Sequence, residues 1–156
     1  DDAFNFKTPY QCDFAINWWT GFGYKEKDSE NIEMIKRVYD SLKFGGLFLL
    51  DFMNVPQVFR DFKESVVIET DTKYGKVKLE RVSYLELDKG FIYKDWIYTF
   101  KDGSKKILKS RVKLYLPNQL KDLFESVGFK NIKFYGNINL ENLTLSSPRC
   151  IVLGEK

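Results

Sequence analysis

The stretch from Asp13 to Asp51 constrains the fold of this chain more than any other. It begins with a short apolar run, Phe14-Ala15-Ile16, which is typical of a strand buried on both faces of a parallel sheet. An amphipathic helix follows, and then the pair Gly45-Gly46 and a second apolar run, Leu47–Leu50. Two apolar strands joined by a helix predict a βαβ unit, so we expect a parallel sheet with helices packed against it.

The helix of this unit has sequence signals at both ends. Asp28 or Ser29 is predicted to be its N-cap, because a side-chain oxygen there can accept a hydrogen bond from the first turn. Gly45 or Gly46 is predicted to end the helix in the left-handed conformation. The residues expected on its apolar face recur at intervals of three and four: Ile32, Ile35, Val38, Tyr39 and Leu42.

The first strand ends in a polar and aromatic segment, residues 17–24, that contains two glycines. Ligands of α/β proteins bind at the carboxyl ends of parallel strands, so this segment is the predicted site. Its large aromatic residues are Trp18, Trp19, Phe22 and Tyr24. These rings could instead pack the helix against the sheet, but two adjacent tryptophans cannot both face the core on one side.

The middle of the chain predicts a different architecture. After a short helix near 57–62, four strands are expected at 66–70, 76–87, 91–100 and 105–115. Each pair is separated by a short turn that contains glycine: Lys73-Tyr74-Gly75, Asp88-Lys89-Gly90 and Lys101-Asp102-Gly103. Strands joined by such short turns are antiparallel, so the sequence predicts an inserted β-meander.

The end of the chain predicts a return to parallel architecture. A helix is expected from Pro117, which suits the first helical position, to Gly128, which suits a C-cap. Two final strands are expected at 131–135 and 150–153. The polar segment Gly136–Pro148 between them is long for a loop without secondary structure, which indicates a functional or mobile segment.

Composition excludes several classes of protein. The 156 residues are 44% hydrophobic, which is enough for one packed domain, and the net charge of +3 is too dispersed for a nucleic-acid binder. Leu47–Leu50 is too short to span a membrane, which needs about 20 apolar residues. There is no histidine, and Cys12 and Cys150 lie far apart, so zinc sites and histidine-dependent catalytic triads are excluded and no metal site is expected. Without a visible signal peptide, we expect a reduced, cytoplasmic protein.

Several segments, taken in order, resemble the class I S-adenosylmethionine-dependent methyltransferases, in their small-molecule branch. The segment Leu42–Asp51 resembles the family's Leu-Lys-Pro-Gly-Gly element and the strand after it. The other matching segments are Asp13–Ile16, Gly23-Tyr24, Tyr115-Leu116-Pro117, Gly128-Phe129 and Ser147-Pro148-Arg149. The resemblance covers nearly the whole chain and implies the C-terminal part of a doubly wound, Rossmann-like sheet with an inserted antiparallel meander.

The resemblance also implies how the chain is divided. Residues 1–56 and 116–156 would form the Rossmann-like core of one incomplete domain. Residues 57–115 would be the inserted helix and meander, which in similar enzymes covers the substrate or contributes to a homodimer.

Two departures from the family pattern affect these expectations. Phe44 stands where the family usually has proline, which costs some stiffness at the turn. The family's glycine-rich cofactor loop would precede Asp1, so we expect a fragment that needs an upstream segment to complete its sheet and that is inactive alone. The strand at Phe14–Asn17 would then expose an apolar edge. A soluble monomer with a sharp cooperative melt would count against this expectation.

The resemblance assigns candidate site residues for the cofactor S-adenosylmethionine and for a small-molecule acceptor. The candidate cofactor-binding residues are Asp2, Ala3, Phe4, Asn17, Trp18, Trp19 and Phe22. The candidate substrate-binding residues are Tyr24, Arg81, Trp96, Arg111 and Arg149, and Tyr115 is the candidate catalytic residue. Asp2 could instead be an ordinary turn aspartate, and each arginine could serve only solubility.

Aromatic rings suit both the sulfonium of the cofactor and a cationic amine acceptor. Without histidine there is no obvious general base, which favours an N-acceptor over an O-acceptor. Two alternatives remain open. The chain could be a non-catalytic module that binds or regulates a partner, or a methyltransferase acting on RNA or protein, which the dispersed charge disfavours.

Overall fold

The computed structural model of the chain describes residues 2–72 and 75–156 and divides into two units. The first unit contains the residues up to Arg60 together with Tyr115–Lys156, and the second unit is Asp61–Leu114. The expected insertion of 57–115 therefore included two parts that lie with the first unit, namely the short helix before the meander and Tyr115. No helix among the described residues is long and apolar enough to cross a membrane.

The first unit is built on a four-stranded mixed sheet. The strands are β1 (Cys12–Asn17), β2 (Leu42–Phe52), β7 (Lys130–Tyr135) and β8 (Cys150–Glu155), in the order β1-β2-β8-β7. β1 and β2 are parallel and are connected by the helix α1 (Asp28–Ser41), so the predicted βαβ unit is confirmed. β8 runs antiparallel to both β2 and β7. The prediction that parallel pairing resumes at the end of the chain is therefore wrong.

Both predicted ends of α1 are also wrong. Lys27 is the N-cap residue, and Asp28 and Ser29 lie inside the first turn. The helix ends at Ser41 and the chain becomes extended at Leu42, before the glycine pair is reached. Gly45 does adopt a positive φ of 77°, but it lies within β2 and not at the end of the helix.

The core of the first unit consists of two groups of aromatic rings. Phe48 of β2 stacks on Phe124 at a centroid distance of 5.2 Å, and Phe129 contacts both rings. In the second group, Phe22 and Phe52 pack against Tyr115. These rings attach α3 (Pro117–Val127) and the aromatic corner to the sheet, because each large ring removes much apolar surface from water.

The remaining helices follow the local signals closely. α3 (Pro117–Val127) begins with Pro117 at its first position and ends at Gly128, whose φ of 114° is left-handed, so both predicted ends are confirmed. α2 (Val55–Arg60) begins two residues before the predicted start.

β1 lies at the edge of its sheet, because β2 is its only strand partner among residues 2–72 and 75–156. Phe14 is 48% exposed and Ile16 is 57% exposed. The prediction of a strand buried on both faces is therefore wrong, whereas the exposed apolar edge implied by the family resemblance is present.

The polar segment Gly136–Pro148 is held against the sheet by hydrogen bonds. The Asn54 side chain donates to the carbonyl oxygens of Thr144 and Ser147, both at 2.9 Å. The backbone of Gly136 donates to Glu141 at 2.7 Å. Asn54 is itself buried, so the end of β2 organises this loop.

The second unit is the predicted antiparallel meander. Its strands are β3 (Ser65–Thr72), β4 (Gly75–Glu86), β5 (Phe91–Thr99) and β6 (Lys105–Lys113), each paired with the next in the chain. The glycines at 75, 90 and 103 all have positive φ, as the turn signals predicted. Residues 73 and 74 of the first predicted turn lie outside the described residues.

The buried thiol of Cys150 gives a prediction on reactivity. Burial raises its pKa to about 12 from an ordinary value of 9.0. The thiolate is the reactive form, so alkylation of Cys150 in the folded protein should be slower by about a thousandfold at pH 8 than in unfolded protein. Peptide mass spectrometry after iodoacetamide treatment measures this, and the half-buried Cys12 gives the comparison.

The same shift implies that stability depends on pH. A raised pKa favours the protonated thiol in the folded state, so this contribution is fully present below pH 9 and is lost as the pH rises through about 12. Rapid labelling of Cys150 at pH 8 in folded protein would contradict both expectations.

Candidate functional site

The ends of β1 and β2 meet at a network of hydrogen bonds centred on Asp51. The carboxylate of Asp51 is only 2% exposed. Arg149 donates from Nε to Oδ1 at 2.6 Å and from Nη2 to Oδ2 at 2.8 Å, which makes a bidentate pair. The backbone N–H of Trp19 donates to Oδ2 at 2.9 Å, and that of Thr20 donates to the Asp51 carbonyl at 3.1 Å. Asp51 therefore joins Arg149, the residue directly before β8, to the aromatic corner after β1.

The aromatic corner, residues 17–24, has a strained backbone. Trp19 and Thr20 have φ values of 59° and 57°, and neither is glycine. A non-glycine residue in this region costs on the order of 1–3 kcal/mol and persists only when the surroundings hold it. The hydrogen bonds to Asp51 and the bond from Arg149 Nη2 to Thr20 Oγ1, at 2.8 Å, hold both residues here.

The four aromatic candidates of this corner differ in their exposure to solvent. Trp19 is 80% exposed, and Trp18 and Tyr24 are also exposed. Phe22 is buried between Phe52 and Tyr115, so its ring belongs to the core and does not form the wall of an open pocket. At least one tryptophan of the pair was expected to face away from the core, and both do.

Asn17 ends β1 and supports the same corner from the other side. Its side-chain nitrogen donates to the Gly21 carbonyl at 3.2 Å and contacts the sulfur of Met34 at 3.9 Å. Its Oδ1 is buried and, among the described residues, has no hydrogen-bond partner. A buried acceptor without a partner is costly, so this oxygen suits a donor from a ligand.

A cavity of about 580 Å³ lies along β1 and α1 and brings two of the predicted cofactor residues together. Ala3 and Asn17 both line it. The remaining lining residues come from the first segment, from β1 and from α1: Phe6, Lys7, Thr8, Pro9, Cys12, Ala15, Ile16, Met34, Val38 and Ser41. The volume is within the usual range of small-molecule sites.

The other predicted cofactor residues have local roles. The Asp2 carboxylate accepts from the backbone of Phe4 at 3.0 Å, which is the turn-aspartate arrangement considered for it. The ring of Phe4 lies 4.6 Å from the ammonium of Lys25, a cation–π contact.

The hydroxyl of Tyr115 lies in a buried network. It donates to Asp28 at 2.6 Å and accepts from Asn31 at 2.9 Å. Burial, and then the bond to Asp28, raise the pKa of Tyr115 well above its ordinary value of 10.0. The phenol is therefore protonated throughout the physiological range of pH, and it donates a hydrogen bond to Asp28.

The predicted substrate residues of the meander form their own contacts within the second unit. Arg81 and Trp96 are directly opposite on β4 and β5, with the guanidinium carbon 5.9 Å from the indole centroid. Arg111 lies over the ring of Phe91 at 4.8 Å. The Nε of Arg81 is buried and, within the described part of the chain, has no hydrogen-bond partner.

Sequence reasoning missed three important residues of this region: Asp51, Asn31 and Asp28. Asp51 had a usable signal, because it is an acidic residue at the carboxyl end of a parallel strand. Asn31 had none, because its partner Tyr115 is 84 residues away. Among residues 2–72 and 75–156, no group of three or more cysteine and carboxylate side chains could hold a metal ion.

The sequence matches no family model and no curated protein. The structure, however, is similar to solved methyltransferases. It matches the CcbJ methyltransferase from Streptomyces caelestis with a TM-score of 0.82 and 11% identity, over 99% of this chain and 61% of that one. It matches the sugar N-methyltransferase KedS8 from Streptoalloteichus with a TM-score of 0.76 and 11% identity, over 100% and 60%.

A third similar structure is CalS10, an amino pentose methyltransferase from Micromonospora echinaspora solved with S-adenosylmethionine bound. Its TM-score is 0.70 at 12% identity, over 99% of this chain and 62% of that one. This chain therefore has the class I S-adenosylmethionine-dependent methyltransferase fold implied by its sequence motifs, and it spans about three fifths of the length of these structures.

Proposed function

We propose that this chain is part of an enzyme that transfers a methyl group from S-adenosylmethionine to a small molecule, with nitrogen favoured over oxygen as the acceptor. The observation that carries the proposal is the exposed tryptophan pair at the carboxyl ends of parallel strands, in a chain whose fold matches methyltransferases over 99% of its length. Two of the similar structures, a sugar N-methyltransferase and an amino pentose methyltransferase, support the preference for nitrogen.

We assign the cofactor to the cavity along β1 and α1, which Ala3 and Asn17 line. Asn17 contributes a buried oxygen that needs a donor, and the amino group of the cofactor's methionine portion is such a donor. Ala3 and Phe4 are the proposed residues near the adenine, and Asp2 can contribute only if its turn hydrogen bond opens. When bound, the cofactor supplies a methyl group made electrophilic by its sulfonium.

The residues of the corner would position the reacting groups. In-line transfer needs the acceptor and the methyl group held collinear and shielded from water, which rigid aromatic walls provide. We assign this role to Trp18 and Trp19, with Tyr24 on the acceptor side. We further propose that Arg81, Trp96 and Arg111 of the meander recognise the acceptor, and that the meander could also mediate a homodimer.

The state of Tyr115 supports an acceptor that needs no protein base. Its hydroxyl is buried, and it donates to Asp28, so its phenolate is not accessible near neutral pH. An amine that arrives uncharged needs no general base, whereas a hydroxyl acceptor usually does. We therefore propose that Tyr115 orients the end of the corner and does not remove a proton.

Isothermal titration with S-adenosylhomocysteine tests this function. Two proteins are compared, residues 1–156 alone and the same chain with its native upstream sequence. We expect the longer protein to bind, and Asn17→Ala to weaken that binding by about tenfold because a buried hydrogen bond to a charged donor is lost. Asn139→Ala, an exposed asparagine of the polar loop, is the matched control and should bind normally.

Failure of both proteins to bind would overturn the enzyme proposal and leave a non-catalytic, partner-binding module. Binding by the longer protein with no effect of Asn17→Ala would keep the cofactor but remove Asn17 from its site.

A further inference from the structure

The Asp51–Arg149 pair connects β2 and the residue before β8 to the aromatic corner. Asp51 accepts two hydrogen bonds from Arg149 and one from each of the backbone N–H groups of Trp19 and Thr20. Arg149 also donates to the side chain of Thr20. The backbone N–H groups of Trp19 and Thr20 and the Thr20 hydroxyl are thereby bound by two residues that lie at least 31 positions further along the chain.

The network holds two residues with a strained backbone, Trp19 and Thr20, and the large ring of Trp19 remains exposed. Trp19 and Thr20 both lie in the left-handed region, and the Trp19 indole is 80% exposed. Folding gains little from such an arrangement, because the strain is unfavourable and the large ring remains in water. An exposed tryptophan held on a rigid, strained backbone is instead typical of a surface prepared for a ligand.

We propose that Asp51 and Arg149 are positioning residues that hold Trp19 as a preformed aromatic platform for a cationic onium group. The ligand part of this proposal rests on the proposed function, since both the sulfonium of the methyl donor and the methylated ammonium that forms when an uncharged amine accepts the methyl group are onium groups. The positioning part rests only on the geometry of the network. A tryptophan ring is the best of the aromatic faces for a cation.

The positioning part is tested by NMR on residues 1–156. In Asp51→Ala, amide hydrogen exchange at Trp19 and Thr20 should accelerate at least about tenfold, with lower heteronuclear NOE values, because their acceptors are lost or displaced. Amides of α1 and of the β2–β8 pair should keep their wild-type values. Indole signals from the three tryptophans report the ring directly, with Trp96 of the second unit as an internal reference.

Two further variants make this test decisive. Asp13→Ala removes the exposed ion pair between Asp13 and Lys43 at the start of β1 and should leave the corner unchanged. Asp51→Asn preserves the shape of the side chain and an acceptor for Trp19 but removes the charge that Arg149 pairs with, so it is used if Asp51→Ala does not fold. Wild-type exchange and NOE values at Trp19 and Thr20 in Asp51→Ala would overturn the positioning role, and so would wild-type values at Thr20 in Asp51→Asn where that variant is used.

The ligand part is tested by affinities in the protein that carries its native upstream sequence. S-adenosylmethionine has the sulfonium, whereas S-adenosylhomocysteine is neutral at sulfur and otherwise similar. If the sulfonium lies on Trp19, Trp19→Leu should weaken S-adenosylmethionine by about 3- to 10-fold more than S-adenosylhomocysteine, and Asp51→Asn should have the same signature to a smaller extent. If the ammonium of the methylated product lies there, Trp19→Leu should leave that ratio unchanged but weaken binding of the probe tetramethylammonium.

If Trp19→Leu weakens S-adenosylmethionine and S-adenosylhomocysteine equally and does not change the affinity for tetramethylammonium, the proposed role of Trp19 as an aromatic platform is overturned. Absence of any cofactor or tetramethylammonium binding by the unmodified protein would overturn both the proposed function and the platform, while the NMR result would still decide the positioning role. The two failures are therefore distinguishable.

Discussion

Replacing Phe48 with alanine should lower the free energy of unfolding by about 3–5 kcal/mol, the usual cost of deleting a fully buried aromatic ring. Phe48 has no exposed surface and contacts both Phe124 and Phe129. Its removal leaves a cavity between β2 and α3 that stiff neighbouring rings cannot fill. For a chain of 156 residues this should reduce the melting temperature by roughly 10 °C, measured by circular dichroism during heating.

Phe44 provides a matched control on the same strand. Its ring is 93% exposed, so Phe44→Ala should change stability by no more than about 0.5 kcal/mol. The comparison keeps residue type and strand constant and varies only burial. Similar losses in the two variants would show that the ring cluster around Phe48 is not the core of this unit.

Local signals in the sequence predicted those elements whose ends depend on a single backbone requirement. Pro117 and Gly128 delimit α3 because one has a suitable φ for the first helical position and the other tolerates a left-handed φ. The same reasoning failed for Gly45, which has a positive φ but needs it within β2. A glycine indicates where the chain can turn, but it does not show which element the turn belongs to.

Burial and strand direction were less accessible to sequence reasoning. Phe14 and Ile16 have the composition of a buried strand, yet they are exposed because β1 has one strand partner among the described residues. Similarly, the apolar run of β8 does not distinguish a parallel from an antiparallel neighbour. Both properties depend on which strands pair, and residue type contains little information on that.

The candidate site was predictable in location but not in its internal connections. The carboxyl end of β1 was identified from its aromatic residues and from the rule for parallel sheets. That Asp51 would bind Arg149 across 98 residues, and Asn31 would bind Tyr115 across 84, could not be read from spacing. For the same reason Phe22 could not be distinguished from its exposed neighbours before its packing on Phe52 was known.

Asn31 should be the most sensitive polar residue of α1. It is completely buried and makes hydrogen bonds to the N–H and carbonyl of Lys25 and to the hydroxyl of Tyr115. Asn31→Ala removes all of these and leaves backbone groups without partners. Each lost bond contributes roughly 0.5–1.5 kcal/mol and an unsatisfied buried group costs more, so we expect a loss of about 2–4 kcal/mol. Urea unfolding measures it.

Ser29→Ala is the control, because Ser29 is exposed in the first turn of the same helix. If Ser29 were the N-cap, this change would cost about 1 kcal/mol, whereas with Lys27 at the N-cap it should cost almost nothing. A cycle of Asn31→Ala with Tyr115→Phe should be non-additive by at least about 0.5 kcal/mol, since the two side chains share a hydrogen bond. Strict additivity would mean that the hydrogen bond between Asn31 and Tyr115 contributes nothing to stability.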